Sequence, residues 1–183
     1  MKVKQIFAKD FPNNKKELFT YTSKYYYELN MTEKPKDEGW VFEWTKKPLK
    51  EPFIKKGEGN LFENYKEDAE YYVFLNDEEE EIGVVVIGMN QANNTARVWD
   101  IYVNQKYQRF GYGTQLMEYA EERARTWGCR AMIVECQSSN YNAIQFYQKN
   151  GFELIGFDLI WYSNTDVDKR EVRLEMGKKL SIP

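Results

Sequence analysis

Two carboxylates set into apolar runs, and a glycine-bearing loop between them, are the residues of this sequence best suited to chemistry. Asp100 stands within residues 96–103 and Glu135 within residues 131–136. A carboxylate inside an apolar strand is costly unless it is paired or working. Each therefore reads either as a base or anionic grip on a cation, or as a carboxylate satisfied by its own surroundings. Between them lie Gln108, Arg109, Phe110, Gly111, Tyr112 and Gly113, and helical periodicity begins at Thr114. A helix start carries unpaired N–H groups and partial positive charge, and glycines let that backbone approach an anion. Lys106 and Arg109 add charge. The loop reads as a diphosphate cradle, with a purely structural turn as the alternative.

The familiar nucleotide motifs fit poorly. A dinucleotide fingerprint needs a third glycine where Leu116 stands, and a Walker loop needs a lysine where Gly113 precedes Thr114. Glu135 lies about where a dinucleotide fold places its ribose-binding acid, but the preceding strands read as a meander. Histidine is absent. That removes His-based triads and most zinc sites, and no metal site is expected. Cys129 and Cys136 fall near the ends of one apolar run, too far apart along a strand for a disulfide, and read as buried free thiols. The formal charge of −3 lacks the basic excess of a general nucleic-acid binder.

The positioning elements follow from pattern. The length of 183 residues fits one domain, residues 1–183. Residues 3–7 can form a strand. Residues 13–29 are expected to be helical, with Leu18, Phe19, Tyr25, Tyr26 and Leu29 inward. Pro35, Pro48 and Pro52 punctuate an irregular or part-helical stretch that holds Trp40, Phe42, Trp44 and Phe53. Residues 70–75, 82–89 and 96–103 read as an antiparallel meander, and the glutamates of residues 76–81 as the solvated tip of a hairpin. From Thr114, Leu116, Met117, Ala120, Ala124 and Trp127 share one helical face, and Gly128 stops the helix. A strand over 131–136, a helix over 142–150 ended by Gly151, and strands near 153–161 and 171–176 complete an α/β fold with a mixed central sheet. The strand–helix–strand unit implies a parallel pair with a right-handed crossover. No apolar run is long enough for a signal peptide or a membrane span, so a soluble cytoplasmic protein is expected.

The sequence resembles the GNAT acetyltransferases. Their Gln/Arg-x-x-Gly-x-Gly/Ala loop matches Gln108 to Gly113, and their later Asn-x-x-Ala, Phe/Leu-Tyr and Gly-Phe match Asn140 to Ala143, Phe146-Tyr147 and Gly151-Phe152. Within that family, Glu135-Cys136-Gln137 and Gly156-Phe157-Asp158-Leu159 look like the streptothricin acetyltransferase branch. The resemblance implies a GNAT fold of six to seven strands with flanking helices. It implies acetyl-CoA as co-substrate and direct transfer to a primary amine of a small cationic acceptor, with protein or polyamine acceptors and a non-catalytic acyl-CoA-binding module as alternatives. In similar enzymes the backbone of Ile101, Tyr102 and Val103 would pair with pantetheine, and the amides of Phe110, Gly111, Tyr112, Gly113 and Thr114 would hold the diphosphate. Asn140 and Asn142 would hydrogen-bond pantetheine, and Tyr147 would protonate the departing thiolate. The family varies its base, so Asp100 and Glu135 stay open. Tyr21, Tyr25, Trp40 and Trp44 are the expected acceptor wall. No nucleic-acid or membrane partner is expected, and a homodimer is left open.

Overall fold

A computed structural model describes residues 1–34, 36, 38–66 and 68–181, with only the backbone of Leu18. Nine strands and two α-helices follow in order among the described residues. They are β1 (Lys2–Ile6), β2 (Lys16–Lys34), β3 (Gly39–Asn60), β4 (Ala69–Leu75), β5 (Glu81–Asn90), β6 (Thr95–Val103), α1 (Tyr112–Thr126), β7 (Ala131–Gln137), α2 (Tyr141–Lys149), β8 (Glu153–Asp158) and β9 (Arg173–Lys179). Seven strands form one sheet in the order β1-β4-β5-β6-β7-β9-β8, and β2 and β3 form a second. The chain divides into two compact units. The first comprises Met1–Phe19, Gly57–Val134 and Gly177–Pro183, and the second Thr20–Lys56 and Glu135–Met176.

The expected helix over residues 13–29 is instead the long strand β2, and the expected irregular middle is β3. Leu18's side chain and Pro35, two features of the sequence reading there, lie outside the described residues. Thr, Tyr and Phe dominate β2, and such branched and aromatic side chains suit a pleated surface. Pro48 and Pro52 are tolerated in β3 because each strand of a two-stranded sheet keeps one edge free of ladder hydrogen bonds.

In the first unit, β5 is buried on both faces, which explains its unbroken apolar run. Leu116, Met117, Ala120 and Ala124 of α1 are buried against one face, as the periodicity predicts. Tyr119 of the same helix meets Tyr72 and Phe74 of β4 edge-on. Val84 and Val86 point to the other face, with Ile6, Leu61 and Val73. Each such side chain contributes about 1.5–3 kcal/mol when fully buried. Gly83 is required by close approach: a Cβ there would lie 2.3 Å from the Tyr102 carbonyl oxygen and 3.2 Å from Leu116. β6 pairs antiparallel with β5 and parallel with β7 through Thr95↔Ala131, Ala96↔Met132 and Arg97↔Ile133. The β5–β6 register shifts by one residue, so Val86 faces Asp100 while Ile87 faces Val98. Trp99 is the extra residue of this bulge, and the shift turns Asp100 and Tyr102 to the Val84–Val86 face.

Candidate active site

The loop of the first unit is built to present backbone amides. Gln105–Tyr107 make one 3₁₀ turn, closed by Asn104, whose side chain accepts from the Lys106 amide. The Gln108 side-chain amide donates to the Val103 carbonyl at 2.9 Å, tying the loop to the end of β6. Arg109 at φ 68° and Gly111 at φ 88° both take the left-handed region that turns the chain into α1. Gly111 is the N-cap and gives no side-chain cap, so the opening amides of α1 have no capping side chain. A Cβ built on Gly111 would meet nothing within 4 Å, so the space beside this residue is open. Phe110 is 73% exposed at the loop tip.

The acidic hairpin tip braces this loop. Glu80 accepts from Tyr107 Oη and from Lys106 Nζ, 27 and 26 positions along the chain, and from Asn76. These bonds hold the Glu80 carboxyl down at about 2, the Tyr107 hydroxyl first and Lys106 next. Lys106 is therefore committed to Glu80 at 2.9 Å rather than freely presented to an anion. Glu79 and Glu81 pair with Lys2 and Lys15. The tip is solvated, as its composition suggests, and it also has a structural task.

Asp100 forms an ion pair with Lys66, whose side chain is 2% exposed. Lys66 also donates to the Leu61 carbonyl at 2.9 Å. Burial pushes the Asp100 carboxyl upward, with Lys66 opposing. Both partners are enclosed by the apolar cluster that lies under β6, so this pair is part of the packed structure. Ile101, Tyr102 and Val103 are half-buried and lie beyond the three residue pairs of the parallel register, with backbone groups on that edge free of the β7 ladder among the described pairings.

The second unit holds the other carboxylate in a different setting. Glu135 lies on β7 and accepts a hydrogen bond from the Tyr162 hydroxyl. Desolvation and the adjacent carboxylate raise the proton affinity of that phenol. Arg173 Nε lies 3.6 Å from Glu135 Oε2, too far for a hydrogen bond. The Arg173 guanidinium gives its Nη2 to Glu175 at 2.9 Å and stacks over Trp161 at 3.8 Å. Two residues further along the same face of β7, Gln137 accepts from the Tyr21 hydroxyl at 2.8 Å, and Ser139 shares that hydroxyl at 2.9 Å. Burial pushes Tyr21 up to about 12. Cys136, between Glu135 and Gln137, faces the opposite side, and burial raises its thiol pKa. Cys129 and Cys136 are both free and buried.

Tyr147 is buried on α2, its ring against Phe146 and Phe152. Asn140 caps α2 by accepting from the Ala143 amide at 3.2 Å, and Asn142 donates to the Thr22 carbonyl at 2.9 Å. Both asparagines thus carry structural bonds in this state. Of the expected aromatic wall, Tyr21 packs on Phe53, Trp44 on Phe157 and Tyr25 on Tyr141, whereas Trp40 is 60% exposed. Sequence reasoning did not single out Lys66, Tyr162 or Arg173. Lys66 is 34 positions from Asp100 and Tyr162 is 27 from Glu135, and no motif links either pair. Among the described residues no group of three metal-ligating side chains occurs, and no helix is long and apolar enough to cross a membrane.

Residues 24–152 match the model of the Acetyltransferase (GNAT) family. Over 132 residues the chain is 31% identical to streptothricin acetyltransferase A of Bacillus subtilis (strain 168), spanning 71% of this chain and 76% of that protein. The structure is similar to that of nourseothricin acetyltransferase, with a TM-score of 0.80 and 25% identity over 100% of this chain and 98% of that one. It also shares its fold with a Bacillus anthracis str. Ames protein described as a streptothricin acetyltransferase, crystallised with acetyl coenzyme A. There the TM-score is 0.71 and identity 23%, over 98% of this chain and 97% of that one.

Proposed function

The chain belongs to the acetyltransferase (GNAT) family, and on that premise we propose that it moves the acetyl group of acetyl-CoA to a primary amine of a small cationic acceptor of the streptothricin type. The observation that carries the cofactor reading is the opening of α1. Its amides lack a capping side chain, Gly111 adopts φ 88°, and the space beside Gly111 is clear. A helix start of this kind favours a diphosphate. The Bacillus anthracis protein with this fold was crystallised with acetyl coenzyme A, which supports the same ligand here. Gln108, Arg109 and the amides of Phe110 to Thr114 would hold the diphosphate. The backbone of Ile101, Tyr102 and Val103, with Asn140 and Asn142, would serve the pantetheine arm.

Acetyl transfer forms a C–N bond and breaks a C–S bond. An acceptor that arrives as an ammonium loses two protons in becoming the amide, one before and one after attack on the thioester; the leaving thiolate takes up one, and the base passes the other to solvent. A lysine-like amine ordinarily has a pKa of about 10.4, so it arrives charged and needs a base. We assign that task to Glu135 rather than Asp100. Asp100 already has a buried ammonium as its partner, whereas the direct hydrogen bond on Glu135 comes from a neutral hydroxyl. Tyr147 would donate to the thiolate, since a tyrosine with a pKa near about 10 is protonated at neutral pH.

The reading is tested by following free thiol release from acetyl-CoA with streptothricin or spermidine as acceptor. Saturable release with streptothricin is expected. Binding of acetyl-CoA without thiol release in the presence of either amine would overturn the transfer reading in favour of a binding module.

A further inference from the structure

The second unit contains a hydroxyl whose position is set with more care than a surface tyrosine requires. Tyr162 lies on the segment between β8 and β9, and its side chain is 41% exposed. The segment is organised by Asp166, which is fully buried. Asp166 Oδ2 accepts from the Tyr162 amide at 2.8 Å, and its Oδ1 accepts from Ser163 Oγ at 2.7 Å. The Asp166 carbonyl accepts from the Glu171 amide at 2.8 Å, closing the segment onto the approach to β9. Against the cost of desolvation, these bonds lower the Asp166 pKa. The phenol is thereby aimed at Glu135.

What Tyr162 supplies there is weak in charge and easily exchanged. Arg173 is nearby but does not complete a hydrogen bond to Glu135. Its guanidinium is shared among an ion pair with Glu135 at 3.6 Å, a hydrogen bond to Glu175 and the face of Trp161, and its buried Nε has no hydrogen-bond partner among the described residues. An ammonium brings a full opposite charge to the carboxylate in addition to its hydrogen bond, which a neutral phenol does not. Tyr162 as a whole is 41% exposed, so a phenol that swings out of its place can bond to water instead.

We propose that Tyr162 is an acceptor-selecting residue: its hydroxyl holds the place on Glu135 that the acceptor's ammonium takes, and Asp166 positions it. This rests on the transfer reading above and adds to it the residue that discriminates among acceptors. An amine that arrives as an ammonium displaces the phenol, and an uncharged amine does not. Glu135 is faced by Tyr162 and Arg173, with Glu175 beyond the arginine and the neutral thiol of Cys136 on its own strand.

The test is isothermal titration of streptothricin into the protein saturated with coenzyme A, near neutral pH. Tyr162→Phe, a change confined to one hydroxyl, should lower the streptothricin Kd about tenfold, the scale of one hydrogen bond to a charged group. The Kd for coenzyme A should stay within about twofold. In a Glu135→Gln background the same substitution should move the streptothricin Kd by less than about twofold, because the contested charge is gone. Asp166→Asn should shift the Kd in the same direction as Tyr162→Phe, and Ser163→Ala provides a milder version that leaves the buried acid in place. An unchanged or raised Kd in Tyr162→Phe, or an equal shift in both backgrounds, overturns the proposal alone. Failure of the wild-type protein to acetylate streptothricin and spermidine overturns the transfer reading and this one with it.

Discussion

Asp100 and Glu135 look alike in the sequence, each a carboxylate within an apolar strand, yet the two units treat them in opposite ways. Asp100 is turned by the β6 bulge into an apolar cluster, where a fully enclosed lysine neutralises it. Glu135 sits at a partly exposed position, where a phenol on a loop supplies its hydrogen bond and the nearest cation, Arg173, lies 3.6 Å away and is shared with Glu175 and Trp161. Removing one member of a buried pair leaves an uncompensated charge, so such a pair is fixed for as long as the fold is. A carboxylate held by a neutral, exposed donor can change partners during a reaction. The setting, more than the residue type, separates a structural carboxylate from one available to substrate.

Substitutions can break or sharpen that contrast. The largest effect is expected for Lys66→Met, which leaves Asp100 buried without its cation. It should lower unfolding stability by about 3 kcal/mol in urea titrations, and Asp100→Asn in the same chain should restore part of the loss. Tyr147→Phe should cut turnover about a hundredfold while the Kd for acetyl-CoA stays within about twofold, on the usual scale of general acid catalysis. Stopped-flow thiol release with parallel titration calorimetry would check it. Gly111→Val forces a β-branched residue into φ 88° at the mouth of α1. The Kd for acetyl-CoA should rise about tenfold, with a stability loss of about 1–3 kcal/mol. The smallest effect is expected for the exposed carboxylate Glu80. Its pKa is depressed from 4.5 to about 2 in the folded protein, so its contribution is complete above about 4.5 and is lost as pH falls toward 2. Glu80→Gln should flatten that part of the stability–pH curve and lower neutral stability slightly, because the contribution it removes is present there in full but screened by solvent.

Much of the fold around the loop was legible because its signals are local. The periodic face of α1, the glycines at residues 111 and 128, and the unbroken apolar run of β5 each report one element without reference to distant chain. β2 was misread for a physical reason. Tyr25, Tyr26 and Tyr27 are consecutive, so strict alternation is lost and a helical spacing to Leu29 can be drawn through them. The branched and aromatic content favoured the strand. β3 was hidden by Pro48 and Pro52, residues that suit the open edges of a two-stranded sheet. For the proposed site, type and spacing were enough to nominate the loop and both carboxylates. Their distinction was not, because Lys66, Tyr162 and Arg173 reach them through tertiary packing, and Asp100 points where it does only because Trp99 adds a residue to the strand.

The most direct test compares acetyl transfer to streptothricin by Glu135→Gln with that by the Lys66→Met/Asp100→Asn double variant, which removes the buried pair together. Glu135→Gln should lose about a hundredfold or more in kcat/KM for the amine at an unchanged acetyl-CoA Kd, and the double variant should stay within about fivefold of wild type. Full activity in Glu135→Gln, with collapse in a folded double variant, would contradict the assignment of the base and reverse the roles of the two carboxylates.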